Sequence, residues 1–471
     1  MTRDTDYLVI GAGASGLAFA DELFTRDPSA HITLVDKRDA PGGHWNDVYP
    51  FVRLHQPASF YGVESRELAR NELDTQGPNR GFLSLSEGPE IVAYFHAVLR
   101  DRLLPSGRVD FLPLTQVQPD GTLRHLLSGR SQTVNVRRKT VDASWLTNSV
   151  PRTHQRAFDV AAGLTCVPPN DLPRLAAGFA HHAVLGAGKT ALDACCWLLT
   201  HGVPPEAITW AVPRDSWFVN RAKIQPAPAF FDATFGSLVD QRQAMAAATS
   251  ADDLALRLEA CGAWLRLDRA VTPTMFHYAT VSEGELALLR SIGERGRIVR
   301  QGRVQAVDPN RLRMQRGDDV ALPAQTLVTD CTASAITRRE ARPIFDGKRI
   351  TLQMIRIPQP TFSAACVAFI EATLGDMSDE ERNRFTAPIP LPDSVAEVPL
   401  AQLVDSTNRF HATRHPALRG WMARSRLDGY AHLVAAVDPA DAAKLALLAR
   451  MREATKAAMA NLPRLAHRAA A

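Results

Sequence analysis

Two glycine clusters are the residues of this chain whose types and spacing most directly specify chemistry. Gly11-Ala12-Gly13-Ala14-Ser15-Gly16 reads G-x-G-x-x-G, follows the apolar run Tyr7-Leu8-Val9-Ile10, and is answered by Asp36 twenty residues after Gly16. Gly11 permits the tight turn, Gly13 lets the backbone approach a pyrophosphate without a Cβ, and Gly16 lets the following helix pack close to the strand. The helix start at Ala14 and Ser15 offers free N–H donors and a positive dipole end to phosphates, and Asp36, followed by Lys37, accepts from ribose hydroxyls. The second cluster, Gly186-Ala187-Gly188-Lys189-Thr190-Ala191, reads G-x-G-x-x-A. Its Gly-Lys-Thr string also occurs in phosphate-binding P-loops, but that loop needs a glycine where Ala183 stands. No acid ends the strand that follows; Pro213-Arg214 does. A carboxylate there would repel a 2′-phosphate, whereas a guanidinium can hold it with two hydrogen bonds. This favours NADPH over NADH, with Arg214 the chief phosphate contact and Lys189 adding charge.

Each cluster requires a strand before it and a helix after it, and the pattern supplies both. Leu17 to Phe24 reads as a helix and His31 to Val35 as a strand, giving a βαβ unit near the N-terminus. Ala183-Val184-Leu185, a helix from Thr190 to Leu199 and a strand from Ala207 to Val212 repeat that grammar about 175 residues later. The expected fold class is therefore α/β, with two Rossmann-like dinucleotide-binding domains, a helical insertion and a helical C-terminal segment. We place the first part of one domain at 1–165, the second domain at 178–325 with the insertion at about 230–292, the return to the first domain at 326–380, and a loop and helical segment at 381–471. The proline-punctuated stretch from Val150 to Pro173 reads as the crossing. Asp376 to Asp405 reads as a loop and Ala440 to Leu462 as an amphipathic helix.

The bulk numbers fit a folded enzyme. The 471 residues allow about three domains, and a net charge of +4 over 54 basic and 50 acidic residues is too small a surplus to indicate nucleic acid. None of the six cysteines forms a C-x-x-C pair, so neither a redox disulfide nor a zinc site is indicated. The His181-His182 pair has no acid or cysteine at ligand spacing, and no metal is expected. Absence of a leader pattern or a long apolar stretch gives the cytoplasm as the expected location and no membrane partner.

Gly42-Gly43-His44-Trp45 and Tyr49-Pro50 follow Asp36 closely. With the glycine motifs, these residues resemble the flavin-containing monooxygenase and Baeyer–Villiger group of flavoproteins, including a poorly characterised bacterial branch of FAD/NAD(P)-binding oxidoreductases. The resemblance spans roughly residues 5 to 375. It implies that the first motif binds FAD and the second NADPH, and that Gly43, His44 and Trp45 run along the FAD. It also implies that Arg53, His55 and Gln56 fall near the isoalloxazine, with His55 and Gln56 as the catalytic candidates. Leu327 to Ala333 resembles the family's return strand, and the helix after Gln359-Pro360 implies Thr361 and backbone donors near the flavin. The chain departs from the family at Phe51, where a glycine is usual, and lacks the F-x-G-x-x-x-H-x-x-x-W string before the second motif; His154 is its remote analogue at most. The implied activity is NADPH-dependent insertion of one O2-derived oxygen atom into a small organic substrate through a C4a-(hydro)peroxyflavin. The alternative is an FAD-dependent NAD(P)H oxidoreductase or dehydrogenase that passes electrons to a small-molecule or protein acceptor without oxygen insertion. Oligomeric state is not legible.

Overall fold

The computed structural model describes residues 2–68, 70–146, 149–334 and 338–470. The strand Thr2–Ile10, apolar over its last four residues Tyr7–Ile10, forms the centre of the first sheet. It pairs in parallel with Ile32–Val35 on one side and Ser131–Asp142 on the other, in the register Tyr7↔Ile32 and Leu8↔Thr140. Val109–Leu112 extends the sheet beyond Ile32–Val35, and Arg349–Thr351 lies parallel to Ser131–Asp142 at the other end. The central strands of a parallel sheet are buried on both faces, which is why Ile32–Val35 is apolar or β-branched at every position.

The second sheet is also parallel, in the order Cys166–Val167, Thr326–Asp330, His181–Leu185, Ile208–Ala211, Arg297–Val299. Both glycine turns therefore lie at the carboxyl end of a central strand, between neighbours reached by opposite crossovers. That is the position at which open α/β sheets form a ligand crevice. The chain is an α/β protein with two Rossmann-like parallel-sheet units.

Several expected boundaries shift. The first sheet releases the chain at Asp142 rather than near 165; Asp159–Val160 already joins a small four-stranded sheet with Val304–Asp308, Arg311–Met314 and Val320–Ala321. Thr326–Asp330, expected as the start of the return at 326–380, belongs to the second sheet, and the first sheet regains the chain only at Phe345–Asp346 and Arg349–Thr351. An apolar run predicts a buried strand without naming its partner, and either sheet would have covered Leu327 and Val328. The insertion is helical over Phe231–Ala247, Ala251–Ala260 and, at its end, Glu283–Arg295, but not throughout. Trp264–Arg266 and Met275–Val281 then flank Ser216–Asn220 in a three-stranded sheet. Within the stretch expected as loop, Asp379–Asn383 and Val398–Arg414 are helical.

The long C-terminal helix, Ala442–Ala470, packs against Phe231–Ala247 and so closes the outer wall of the insertion. Leu465 is 1% exposed there, among Met245, Leu254, Leu258 and Trp264. Leu465→Ala should lower the unfolding free energy of this unit by about 2–5 kcal/mol in a urea titration. A change below about 0.5 kcal/mol, the level of a surface substitution, would show that this helix is not packed as described.

Candidate functional site

The first glycine turn is built by close backbone approach. Gly11 has φ +105°, and a Cβ on Gly16 would land on the Gly11 carbonyl oxygen. Gly42 donates its N–H to the Ala12 carbonyl at 2.9 Å, which staples the Gly42-Gly43 turn to the first motif. A Cβ on Gly43 would then stand 2.9 Å from the Gly13 Cα. The helix Ala14–Arg26 starts at Gly13 with no side-chain cap and no acid in its first turn, leaving its N–H donors for an anion. Asp36 is buried, and its carboxylate accepts from Ala12 N at 2.7 Å and Arg38 N at 2.8 Å. A carboxylate has about four acceptor sites, so one on each oxygen remains for ribose hydroxyls. Lys37 is exposed beside it.

The second turn repeats this construction. Gly186 has φ +124°, and a Cβ there would collide with the Cys331 carbonyl. Nothing lies within 4 Å of a Cβ placed on Gly188, which opens onto a cavity. The helix Lys189–Thr200 likewise begins without a side-chain cap.

One cavity of about 1970 Å³ connects the two units. Gly186, Gly188, Lys189, Thr190 and Arg214 line one side, and His44, Trp45, His55, Gln56 and Gln359 line another. The cavity thus gathers the second motif with the segment stapled to the first. Trp45 is 7% exposed and donates from Nε1 to the Tyr61 hydroxyl at 2.7 Å, which fixes its indole in the wall. Gln359, at the start of the helix Pro360–Thr373, has a buried Oε1 with no hydrogen-bond partner among the described residues. A ligand N–H donor such as a flavin imide would satisfy it.

Two expected contacts are corrected. Arg53 is exposed, pairs with Glu87 at 3.2 Å and does not line the cavity, because Val52 and Leu54 on either side of it are buried and turn it outward. Thr361 is fully buried, with its hydroxyl donating to the Phe60 carbonyl at 3.4 Å, so Gln359 and Pro360 face the cavity in its place. His154 lines the cavity, with Nε2 3.2 Å from the Thr332 hydroxyl.

Lys189 and Arg214 reach the cavity already partnered. Arg214 makes a bidentate pair with Asp393 at 2.9 Å and 2.9 Å, and His277 meets the same carboxylate at 2.8 Å. The Arg214 guanidinium remains 41% exposed, so it is oriented rather than enclosed. Lys189 is bonded to Asp193 and lies 4.0 Å from Glu285. Burial works against its charge, but Asp193 and Glu285 outweigh that and raise its pKa. Glu285 in turn accepts from Ser282 N at 2.7 Å and Arg221 at 3.4 Å. Burial alone would raise its pKa, yet Lys189 and Arg221 hold it down at about 2. Tyr49 donates to Asp193 at 2.7 Å, and Arg221 donates to the His55 carbonyl at 2.6 Å. Sequence reasoning missed Asp193, Arg221 and Glu285, and it placed Gln359 at the helix start without a role for its side chain. Only Asp193 carried a signal, four residues after Lys189 on one helix face.

Among the described residues no group of three His, Cys, Asp or Glu is placed to hold a metal ion, and no helix is long and apolar enough to cross a membrane.

Residues 9–60 match a family model described as an NAD(P)-binding Rossmann-like domain. Uncharacterized proteins of Mycobacterium tuberculosis and Mycobacterium bovis are each 43% identical to the chain over 436 residues, covering 92% of it and 79% of the relative. The chain belongs to the same family as these mycobacterial proteins. A probable FAD-binding monooxygenase of Acinetobacter is 30% identical over 86 residues, 18% of this chain and 17% of that one. A solved flavin-containing monooxygenase of Stenotrophomonas maltophilia superposes with a TM-score of 0.47 at 14% identity, over 80% of this chain and 100% of that one.

The electrostatics of His55 have a measurable consequence. Burial, then Lys189 and Arg221, lower its pKa from 6.5 to about 3, so the imidazole is neutral at neutral pH. The unfolded chain then binds the extra proton first as pH falls, so this share of stability is present above about 6.5 and is lost towards 3. The slope per group approaches about 1.4 kcal/mol per pH unit. In His55→Gln, unfolding free energy should fall less steeply over that window than in the parent. An unchanged slope would mean that the ring is protonated in the fold.

Proposed function

We propose that the chain is an FAD-dependent NADPH oxidoreductase that inserts one oxygen atom of O2 into a small organic substrate. The observation that carries this reading is one cavity lined by the second glycine turn and by His44 and Trp45, which follow the Gly42-Gly43 turn stapled to the first motif. Bound FAD would supply the redox chemistry, accepting a hydride from NADPH and passing electrons on to O2.

The chain's own residues bind, orient and exclude water. Gly13 and Gly43 leave room for a pyrophosphate, the uncapped N–H groups at Ala14 and Ser15 would hold it, and Asp36 would take the ribose. Trp45, His55, Gln56 and Gln359 would surround the ring system. Neutral His55 can donate one hydrogen bond and accept another without placing a positive charge beside an electron-rich ring. Gly188 and Thr190 would hold the nicotinamide nucleotide, and Arg214, oriented by Asp393, would meet its 2′-phosphate. The farther walls, with Phe218, Leu258, Trp264 and Phe276, are apolar and would keep bulk water from the reacting groups.

Anaerobic reduction by NADPH followed by mixing with air, watched by stopped-flow absorbance, tests the reading. A long-lived near-ultraviolet absorbance before the oxidised spectrum returns is expected. Immediate release of hydrogen peroxide would replace oxygenation with the reductase or dehydrogenase reading, which the missing string before the second motif favours.

Gly13→Val would place methyl groups against Gly43 and the pyrophosphate position, and the purified variant should lose FAD; full occupancy would remove the first site's assignment. For the second site, a charge-assisted contact is worth on the order of 1.5–3 kcal/mol, or roughly 10- to 150-fold. Arg214→Ala should raise KM for NADPH by about that factor, with NADH nearly unaffected and flavin reduction at saturation little changed. Equal losses with both nucleotides would mean that Arg214 acts by holding Asp393.

A further inference from the structure

The helical insertion lines one lobe of the cavity with residues that belong to neither glycine turn. On Phe231–Ala247, residues Leu238, Arg242 and Met245 line the lobe, at the spacing of one helical face. Leu258, Trp264 and Met451 add apolar surface from neighbouring elements. Arg242 is the charged residue that this helix brings to the cavity, beside Gln241. Its only hydrogen bond among the described residues is from Nη1 to the Met245 sulfur at 3.3 Å, and none of the described carboxylates lies within 4.0 Å of it. Arg242 is half-buried, and a guanidinium with five donors, one weak hydrogen bond and apolar surface beside it is suited to hold an anion.

The surroundings sharpen this. Arg409 pairs with Asp405 at 3.0 Å, and Arg356 pairs with Asp428. Burial and the charge of Arg409 both act against the Arg242 cation, with Asp405 only partly offsetting them. The cluster therefore holds three guanidinium groups against two carboxylates, one positive charge in excess. Tyr278 lines the same cavity from the middle of Met275–Val281, where its φ of 56° breaks the strand register. Non-glycine backbone strain of this kind persists where the surroundings impose it, commonly at a ligand wall.

We propose that this lobe binds an organic acid with an apolar body, its carboxylate held by Arg242. The apolar body lies along Leu238, Met245, Leu258 and Trp264, and the carboxylate supplies the negative charge that the cluster lacks. This names the substrate class for the proposed function and rests on that function only for the chemistry that follows binding.

The test is calorimetric titration of the FAD-loaded protein with decanoate and with decan-1-ol, without NADPH. Decanoate should bind more tightly than decanol. Arg242→Met, which keeps the length and removes the charge, should weaken decanoate by roughly 10- to 100-fold and leave decanol unchanged. Arg242→Lys should restore part of the loss, which separates charge from folding. Equal binding of acid and alcohol to the parent protein, no binding of either, or equal weakening of both by Arg242→Met would overturn the proposal. So would an Arg242→Met variant that binds decanoate normally but shows a raised KM for NADPH, since the guanidinium would then serve the nucleotide. NADPH-driven flavin reduction, measured separately, fails only if the proposed function fails.

Discussion

The arrangement of the cavity depends on the buried ion network around Glu285. It draws Lys189 and Asp193 from the second glycine unit, Tyr49 and the His55 carbonyl from the first, and Arg221 from the strand end that enters the insertion. Two cations face two anions, so the network is balanced. Desolvating four charges costs several kcal/mol per ion, and only good geometry and full hydrogen bonding offset that. The Ser282 capping box, Asn79 at 3.4 Å and the Thr280 carbonyl at 3.1 Å supply the additional bonds. Removing any one of these four charges leaves a net buried charge, and the bonds to Tyr49 and the His55 carbonyl link the network to both units. Because Lys189 is engaged there, bound nucleotide phosphates would be left to backbone N–H donors and to Arg214.

Charge is distributed unevenly over the rest of the cavity. Arg214, Arg242, Arg303, Arg316, Arg338 and Arg409 line it, against Asp393, Asp405 and Asp428. The acids orient particular guanidinium groups and leave the space between them positive. A positive, partly apolar enclosure raises the local concentration of anionic ligands and strengthens their contacts once water leaves. Neutral His44 and His55, with pKa values lowered to about 4 and about 3 chiefly by burial, add no charge to the wall beside Trp45.

What was legible in the sequence follows from how local the physical requirement is. Gly11, Gly16 and Gly186 are demanded by backbone contacts with residues near in sequence or at a strand end, so the motif announces the turn. The same holds for Gly42-Gly43, whose bond to Ala12 reaches across only thirty residues. Arg53 was misplaced because alternation along a short segment decides which side chains face inward, and buried Val52 and Leu54 take the inner face. Arg221 and Glu285 were not legible because each looks like an ordinary charged residue on a helix or turn, and Asp193 offered only its spacing from Lys189. Their meaning comes from partners contributed by separate elements. The sheet in the insertion was hidden for a similar reason: Ser216–Asn220, Trp264–Arg266 and Met275–Val281 are short and pair across helices.

The central claim is that two nucleotides bound at the two glycine turns meet inside one cavity. A crystal structure of the protein with FAD and NADP+ bound tests it most directly. The account predicts the FAD pyrophosphate at Gly11–Gly16, the nicotinamide nucleotide at Gly186–Thr190, and the nicotinamide carbon that carries the hydride about 3–3.5 Å from the flavin. A structure with the two rings in separate spaces, or with a single nucleotide spanning both turns, would contradict it.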